Sequence, residues 1–301
     1  MSAQTLKRLA IALAVLVVVW AVAGLTRRAG RDAEGRLVLV RFDAASVDQV
    51  VIARPADTVR LEKQAAAWRV NGHPANAVMV DGLLRAVSDT GASSELVAES
   101  ASSHKQLGLD SAGARRISVQ QGGKTLTELL VGSRGSAYGS VYVRKPGENL
   151  AYQLAGSIGE AADRPLDEWR DKVIAKVEPD SVAVIGVRRG KLSYSLTRTD
   201  TGWVVGTVTA DSTTVAGLLN RFSTIEASGF ATAAQADSAN FAAPDRSVRL
   251  LSKGGRPLIV LSMDSTTSGF WVRRDGDATT YRMESWTVDQ LTPVDTTLRK
   301  K

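Results

Sequence analysis

Two histidines, one acidic cluster and one glycine-rich stretch are the residues of this 301-residue sequence with chemistry to offer. His104 follows Ser102 and Ser103, placing a base beside two hydroxyls, the raw material of a nucleophilic hydrolase. Triads are made by geometry in space, however, and no G-x-S-x-G elbow is present, so adjacency alone is weak support for an envelope hydrolase. His73 sits in Asn71-Gly72-His73-Pro74, a turn sequence in which an exposed histidine needs no function. Asp163, Asp167, Glu168 and Asp171 lie at partly helical spacing around Arg164 and Arg170. Carboxylates so spaced suit a hard cation, but without a nearby histidine they read as a solvated linking helix or turn. Gly132-Ser133-Arg134-Gly135-Ser136-Ala137-Tyr138-Gly139 lacks the P-loop lysine and the G-x-G-x-x-G spacing. The alternating Val141-Tyr142-Val143 that follows makes it a hairpin loop. With no cysteine in the chain there is no disulfide, thiolate metal site or cysteine nucleophile, and no lipid-modified N-terminal cysteine. The sequence assigns no catalytic residue, metal site or cofactor.

The elements that must carry these residues occur twice. Val47 and Val182, Trp68 and Trp203, and Gly82 and Gly217 are each 135 residues apart. Further on, Tyr142-Val143-Arg144 matches Trp271-Val272-Arg273, and Tyr152 matches Tyr281, each at 129. Alternation over Thr58–Lys63 and Leu192–Thr197 predicts half-buried antiparallel strands, with Val47–Val51 and Ser181–Ile185 as leading strands. Val80, Leu83, Leu84 and Val87, and again Val215, Leu218, Leu219 and Phe222, fall at i, i+3, i+4 and i+7. That spacing predicts an amphipathic helix in each copy, N-capped by Asn76 and Asp211. Strands are predicted at 116–119, 125–131, 140–144 and 150–154, echoed at 247–251, 258–262, 269–273 and 279–283. Trp68 and Trp203 recur at equivalent positions and belong to cores, which leaves Trp169, Trp271 and Trp286 as candidates for a partner surface.

Leu9–Leu25 (LAIALAVLVVVWAVAGL) has no charge over seventeen residues and is bracketed by Lys7-Arg8 and Arg27-Arg28. As a helix it spans roughly 25 Å, and flanking basic side chains can snorkel to complete a membrane crossing. Ala21-Val22-Ala23 fits a cleavage pattern, but apolar character runs on to Leu25 before the arginines, as a stop-transfer edge does. The expectation is an uncleaved single-pass anchor in the bilayer, with a short cytoplasmic tail and the bulk of the chain extracytoplasmic. The formal charge of +7 belongs to the ends: Lys7, Arg8, Arg27, Arg28, Arg31 and Arg36 outweigh Asp32 and Glu34, and Arg299-Lys300-Lys301 supply the rest. Residues 41–298 carry no excess, which removes the basic-surface argument for nucleic acid.

Together the anchor, the Trp68-Arg69-Val70 strand, the Gly-Leu-Leu helices, Leu107-Gly108-Leu109-Asp110 and the Tyr-Val-Arg hairpin resemble a bacterial membrane-anchored family called domain of unknown function 4340. In the second copy Phe241-Ala242-Ala243-Pro244-Asp245 replaces the Leu-Gly-Leu-Asp element. Members of that family are often encoded beside gliding-motility-type ABC transporter components, so the resemblance implies an envelope accessory role at the bacterial cytoplasmic (inner) membrane with transporter subunits as partners. The expected fold is α+β: an N-terminal transmembrane helix, then two tandem repeated units, each a mainly antiparallel sheet with one principal amphipathic helix. The expected boundaries are 1–36 for tail, anchor and linker, 37–170 and 171–298 for the units, and 299–301 for a basic tail. The functional expectation is a non-enzymatic accessory or scaffold protein; a solute- or cell-wall-binding protein with its site between the units is the alternative, ahead of a hydrolase.

Overall fold

A computed structural model describes residues 35–300. The Leu9–Leu25 segment lies outside the described residues, among which no helix is long and apolar enough to cross a membrane. The chain divides into two compact units, Met1–Asp171 and Lys172–Lys301.

Unit 1 runs β1 (Gln49–Ala53), β2 (Thr58–Gln64), β3 (Ala67–Val70), β4 (His73–Pro74), α1 (Ala77–Ser88), β5 (Ser94–Ala98), β6 (Arg115–Gln121), β7 (Lys124–Arg134), β8 (Ser140–Arg144), β9 (Ala151–Ala155), α2 (Ile158–Asp163) and α3 (Leu166–Trp169). The strands form one antiparallel sheet in the order β4-β3-β2-β1-β6-β7-β8-β9-β5. Because β4 and β5 are its opposite edges, α1 carries the chain from one edge toward the other. The helix starts where Asn76 Oδ1 accepts the amides of Val78 and Met79, at 3.1 and 3.3 Å, satisfying two of the donors a helix start leaves open. Its buried residues are Val80, Leu83, Leu84 and Val87, the stripe predicted from spacing. They share a core with the inward residues of the strands, such as Ile52, Leu61, Ile117 and Leu154. At about 1.5–3 kcal/mol for each fully buried aliphatic side chain, this face holds the unit together.

Unit 2 runs β10 (Val173–Lys176), β11 (Val184–Arg189), β12 (Leu192–Thr199), β13 (Gly202–Val205), β14 (Val208–Thr209), α4 (Ser212–Ser223), β15 (Thr224–Glu226), β16 (Gly229–Phe230), α5 (Ala233–Ser238), β17 (Arg246–Leu251), β18 (Pro257–Thr266), β19 (Gly269–Arg274), β20 (Tyr281–Met283) and α6 (Ser285–Leu291). Its main sheet, β14-β13-β12-β11-β17-β18-β19-β20-β16, repeats the order of unit 1 strand for strand, and β10 pairs separately with β15. Helix α4 matches α1 in its 12 residues and buries Val215, Leu218, Leu219 and Phe222. Asp211 caps it through the amide of Thr214 at 2.7 Å. Even the cation stacked on the strand tryptophan is repeated, with Lys63 5.9 Å from the Trp68 ring and the Arg198 guanidinium 5.1 Å from that of Trp203.

Each unit is closed by its own chain end. In unit 1 Ala75 and Arg170 form a bridge, the Asn76 amide donates to Trp169 O at 2.8 Å, and the Asp171 amide donates to Pro74 O at 2.9 Å. In unit 2 Ala210 bridges Arg299, the Asp211 amide donates to Leu298 O at 2.8 Å, and the Lys300 amide donates to Thr209 O at 3.0 Å. Arg299 and Lys300 are therefore not a tail, as expected from their charge, but the closing residues of unit 2. Likewise residues 163–171 are not a solvated link between units: α3 ends on Trp169, which is fully buried in the unit 1 core. Other differences are local. The leading strands start two or three residues later than predicted because short 3-10 turns at Ala44–Ser46 and Pro179–Ser181 precede them, with Val47 and Val182 as buried turn ends. The periodicity does not predict strands β4, β5, β10, β14, β15 and β16 or helices α2, α5 and α6.

Removing residues 298–301 takes away Leu298, 1% exposed, and both closing hydrogen bonds of unit 2. The expected cost is roughly 2–4 kcal/mol, read as a fall of several degrees in the melting temperature. A second expectation concerns alkali. The Tyr281 hydroxyl donates to Asp277 Oδ2 at 2.8 Å, and burial, reinforced by that bond and the carboxylate charge, pushes the phenol up to about 12. Burial also raises Tyr194, whose hydroxyl donates to Pro293 O. Burial works to raise Asp277 too, but hydrogen bonds from the Thr279 amide and the Tyr281 hydroxyl outweigh it and hold the carboxyl low. A raised phenol contributes stability that is present below its ordinary 10 and lost as pH climbs through its folded value. Thermal melts between pH 10 and about 12 are expected to fall, and Tyr281→Phe is expected to flatten part of that decline.

Candidate functional site

Two stretches that look unrelated in sequence line one cleft of about 820 Å³ in unit 1. One wall is the turn between β7 and β8; the other is α2 with the first residues of α3. The glycine-rich stretch is only partly a loop. Strand β7 continues through Gly132 and Ser133 to Arg134, and its pairing with β8 slips between Val131 and Arg134. The slip has a cause in Leu107-Gly108-Leu109-Asp110. Leu107 O accepts the Ser133 amide at 2.8 Å, and a Cβ on Gly132 would stand 2.3 Å from that same carbonyl oxygen. Gly108, at φ +68°, passes so close that its Cβ would stand 2.9 Å from Ser133 N. Leu109 is fully buried in a satellite core with Leu130 and Ala151, and the Arg144 Nε donates to its carbonyl at 3.1 Å. The motif is thus a plug on the sheet that bends the end of β7 and puts Arg134 at the cleft.

Beyond Arg134 the turn is pinned from inside. Gln153 Oε1 accepts both the amide and the hydroxyl of Ser136, at 3.0 and 2.8 Å, and Ser140 Oγ donates to Ala137 O at 2.6 Å. Tyr138 at its tip is wholly exposed. On the opposite wall, Gly159 brings α2 against β8, where an added Cβ would stand 3.0 Å from Val141 Cβ. Arg115 forms an ion pair with Asp163 at 3.0 Å, and its Nη2 donates to Asp163 Oδ2 at 3.2 Å. Arg164 reaches Glu160 at 3.3 Å and Glu168 at 4.0 Å while its guanidinium lies 5.0 Å from the Trp169 ring. Three arginines thus face three carboxylates, but Arg134 has neither an ion pair nor a hydrogen-bond partner among the described residues.

The other sequence candidates do not converge on this cleft. His104 is nearly buried and its Nε2 meets Asn149 O at 2.9 Å, which ties the ring to the backbone, while Ser102 Oγ pairs with Ser100 Oγ at 3.0 Å. His73 lies on β4 with its Nδ1 3.5 Å from Arg170; burial, then the charges of Arg170 and Arg69, lower its pKa, with Asp167 opposing. Asp167 is engaged by Arg170 at 3.6 Å. Among the described residues no three histidine or carboxylate side chains gather as a metal-ligand set. Trp169 was the wrong choice for a surface residue: it sits in the core because its chain segment closes the unit. Trp271 is half-buried on β19 opposite Asp264 and Arg282, and Trp286, at the start of α6, is 63% exposed.

The corresponding corner of unit 2 is built differently. Arg246 holds Asp289 at 2.6 Å and Thr292 Oγ1 at 3.0 Å; at the offset of 129 these stand where unit 1 has Glu160 and Asp163, so a strand arginine tied to this segment belongs to the shared framework. Phe270, under the Arg246 guanidinium at 4.7 Å, stands where unit 1 has Val141, and the β18–β19 turn is three residues shorter than the β7–β8 turn. This turn accounts for three of the six residues by which the repeat offset falls from 135 to 129.

The fold and the Leu-Gly-Leu-Asp plug bear on the chain's kinship. The family described as Domain of unknown function (DUF4340) matches residues 68–244, from Trp68 on β3 to Pro244 just before β17. The chain belongs to this family. The match takes in α1, the plug, the whole cleft and the first half of unit 2, so the cleft lies inside the family's own domain. No curated protein and no solved structure matches the chain.

Gly132→Ala is expected to destabilise unit 1 by about 2 kcal/mol or more, because the new methyl must displace the Leu107 carbonyl. Gly217→Ala, in the middle of α4 with open space at the Cβ position, is expected to stabilise by about 0.5–1 kcal/mol. Thermal denaturation of the two variants beside the parent checks both signs.

Proposed function

We propose that this protein is a membrane-anchored extracytoplasmic accessory or scaffold protein, non-enzymatic, that works by holding a partner rather than by transforming a substrate. The observation that carries this reading is what has been duplicated. Strand order, the helix stripe, the caps, the stacked cation on each strand tryptophan and the closing bridge are all copied between the units. These are framework features; what diverges between the copies is surface, and a function carried by such grafted differences is one of recognition. The charge-free Leu9–Leu25 segment between basic pairs supports anchoring through the bilayer. The neutral balance of residues 41–298 weighs against nucleic acid as the partner. An ABC transporter complex as the partner rests on the family resemblance alone. Trp286, exposed at the head of α6, is the best-placed aromatic for such a contact.

The test is affinity purification from detergent-solubilised membranes, with a photo-cross-linking residue at position 286. Permease and ATPase subunits are expected to co-purify, and deletion of residues 1–30 is expected to move the protein to the soluble fraction. Repeated recovery of no transporter subunit, or a full-length protein found in the soluble fraction, defeats the proposal.

A further inference from the structure

We propose that the unit 1 cleft binds an acidic saccharide, with Tyr138 stacked on a sugar ring and Arg134 holding its carboxylate. The proposal goes beyond the scaffold reading and does not depend on it. Removing what the two units share isolates the parts of the cleft that the fold itself does not need. The Arg115–Asp163 tie has its counterpart in the hold of Arg246 on Thr292 and Asp289, which match Asp163 and Glu160, so a strand arginine bound to this segment is architecture. Arg134, the turn that carries Tyr138, and the Arg164 pairs with Glu160 and Glu168 are particular to unit 1.

Their chemistry selects a ligand class. At about 820 Å³ the cleft is within the roughly 300–1,000 Å³ typical of small-molecule sites. Arg134 is the one cleft cation without a carboxylate among the described residues, so it supplies a charge-assisted partner for one anionic group. Glu160 and Glu168, whose side chains are 75% and 58% exposed, repel a polyphosphate but accept hydrogen bonds from hydroxyl groups. A ligand that satisfies both carries one carboxylate and many hydroxyls. The tyrosine completes the selection: a wholly exposed ring on a turn pinned by Gln153 offers a rigid apolar face at small entropic cost. A pyranose, with C–H bonds on its faces and hydroxyls at its edge, fits a flat aromatic beside polar walls. Gly135 has no room for a side chain, since an added Cβ would stand 2.3 Å from Ser140 Oγ, and Gly139 closes the turn at φ +67°.

The test is isothermal titration calorimetry on the full-length protein with digalacturonate and N-acetylmuramic acid, set against cellobiose and N-acetylglucosamine as neutral counterparts. At least one acidic sugar is expected to bind with a millimolar or lower dissociation constant, and the neutral sugars are expected to bind at least about ten-fold more weakly. Arg134→Gln and Tyr138→Ala are each expected to weaken the acidic sugar about ten-fold while leaving the melting temperature unchanged, because both side chains are exposed. Thr267→Ala, in the shorter turn of unit 2, is expected to change nothing. Failure of both acidic sugars to bind at millimolar concentration, equal binding of the neutral ones, or binding untouched by both cleft variants overturns the proposal. Co-purification of transporter subunits is a separate readout, so the two proposals stand or fall independently.

Discussion

One residue position in each unit makes three connections at once, and the unit depends on it. Asn76 caps α1 with its side chain, follows the edge strand β4, and gives its own amide to Trp169 near the end of the unit. Asp211 does the same for α4, β14 and Leu298. A helix start left alone has open donors, and a two-residue edge strand left alone has almost no cooperativity. Joined by a returning chain end, the two constrain each other. The helix is then held across the sheet at a fixed place, which lets its four-residue stripe meet the inward faces of the strands. The core residue that the returning chain brings differs in size between the units, Trp169 in one and Leu298 in the other, but the backbone pairing does not.

Seen against that shared frame, the cleft of unit 1 is an addition. Three extra residues between β7 and β8, a plug that bends the strand before them, and a glycine that lets α2 come close open a space where unit 2 has a phenylalanine under an arginine. The ion pairs around the cleft are partly exposed, and such pairs add little to stability, about 0–1 kcal/mol each. Their presence therefore says more about what the cleft can receive than about what holds the unit together.

Much of the frame was legible in the sequence because periodicity reports burial directly. The stripe at Val80, Leu83, Leu84 and Val87, the alternation in Thr58–Lys63 and the caps at Asn76 and Asp211 are local statements about one helix or strand, and each came true at the residue. What escaped was set by distant partners. His73-Pro74 reads as a turn and becomes an edge strand only because β3 lies beside it. Leu166-Asp167-Glu168-Trp169-Arg170 reads as solvated because three charges and helix-like spacing dominate it, yet Trp169 is drawn into the core by the backbone closure at Arg170. Its alignment with Leu298 at an offset of 129 carried that information, and the charges hid it. The cleft could not be read at all from either of its two stretches, since one looks like a hairpin and the other like a linker. Only the plug from Leu107–Asp110 brings Arg134 into place.

The identical strand order of the two sheets has a consequence for how the chain reaches its native state. Tandem sequences with interchangeable pairing are prone to exchange strands during folding, because a strand from one copy meets nearly the same backbone template in the other. Here the slip at Gly132-Ser133, the longer turn that follows, and the mismatch of Val141 against Phe270 mean that the β18–β19 hairpin seated in unit 1 would press a phenyl ring onto Gly159, and the β7–β8 hairpin seated in unit 2 would leave Arg246 without its stacking partner. The residues that distinguish the cleft thereby also make each copy a poor host for the other's strands.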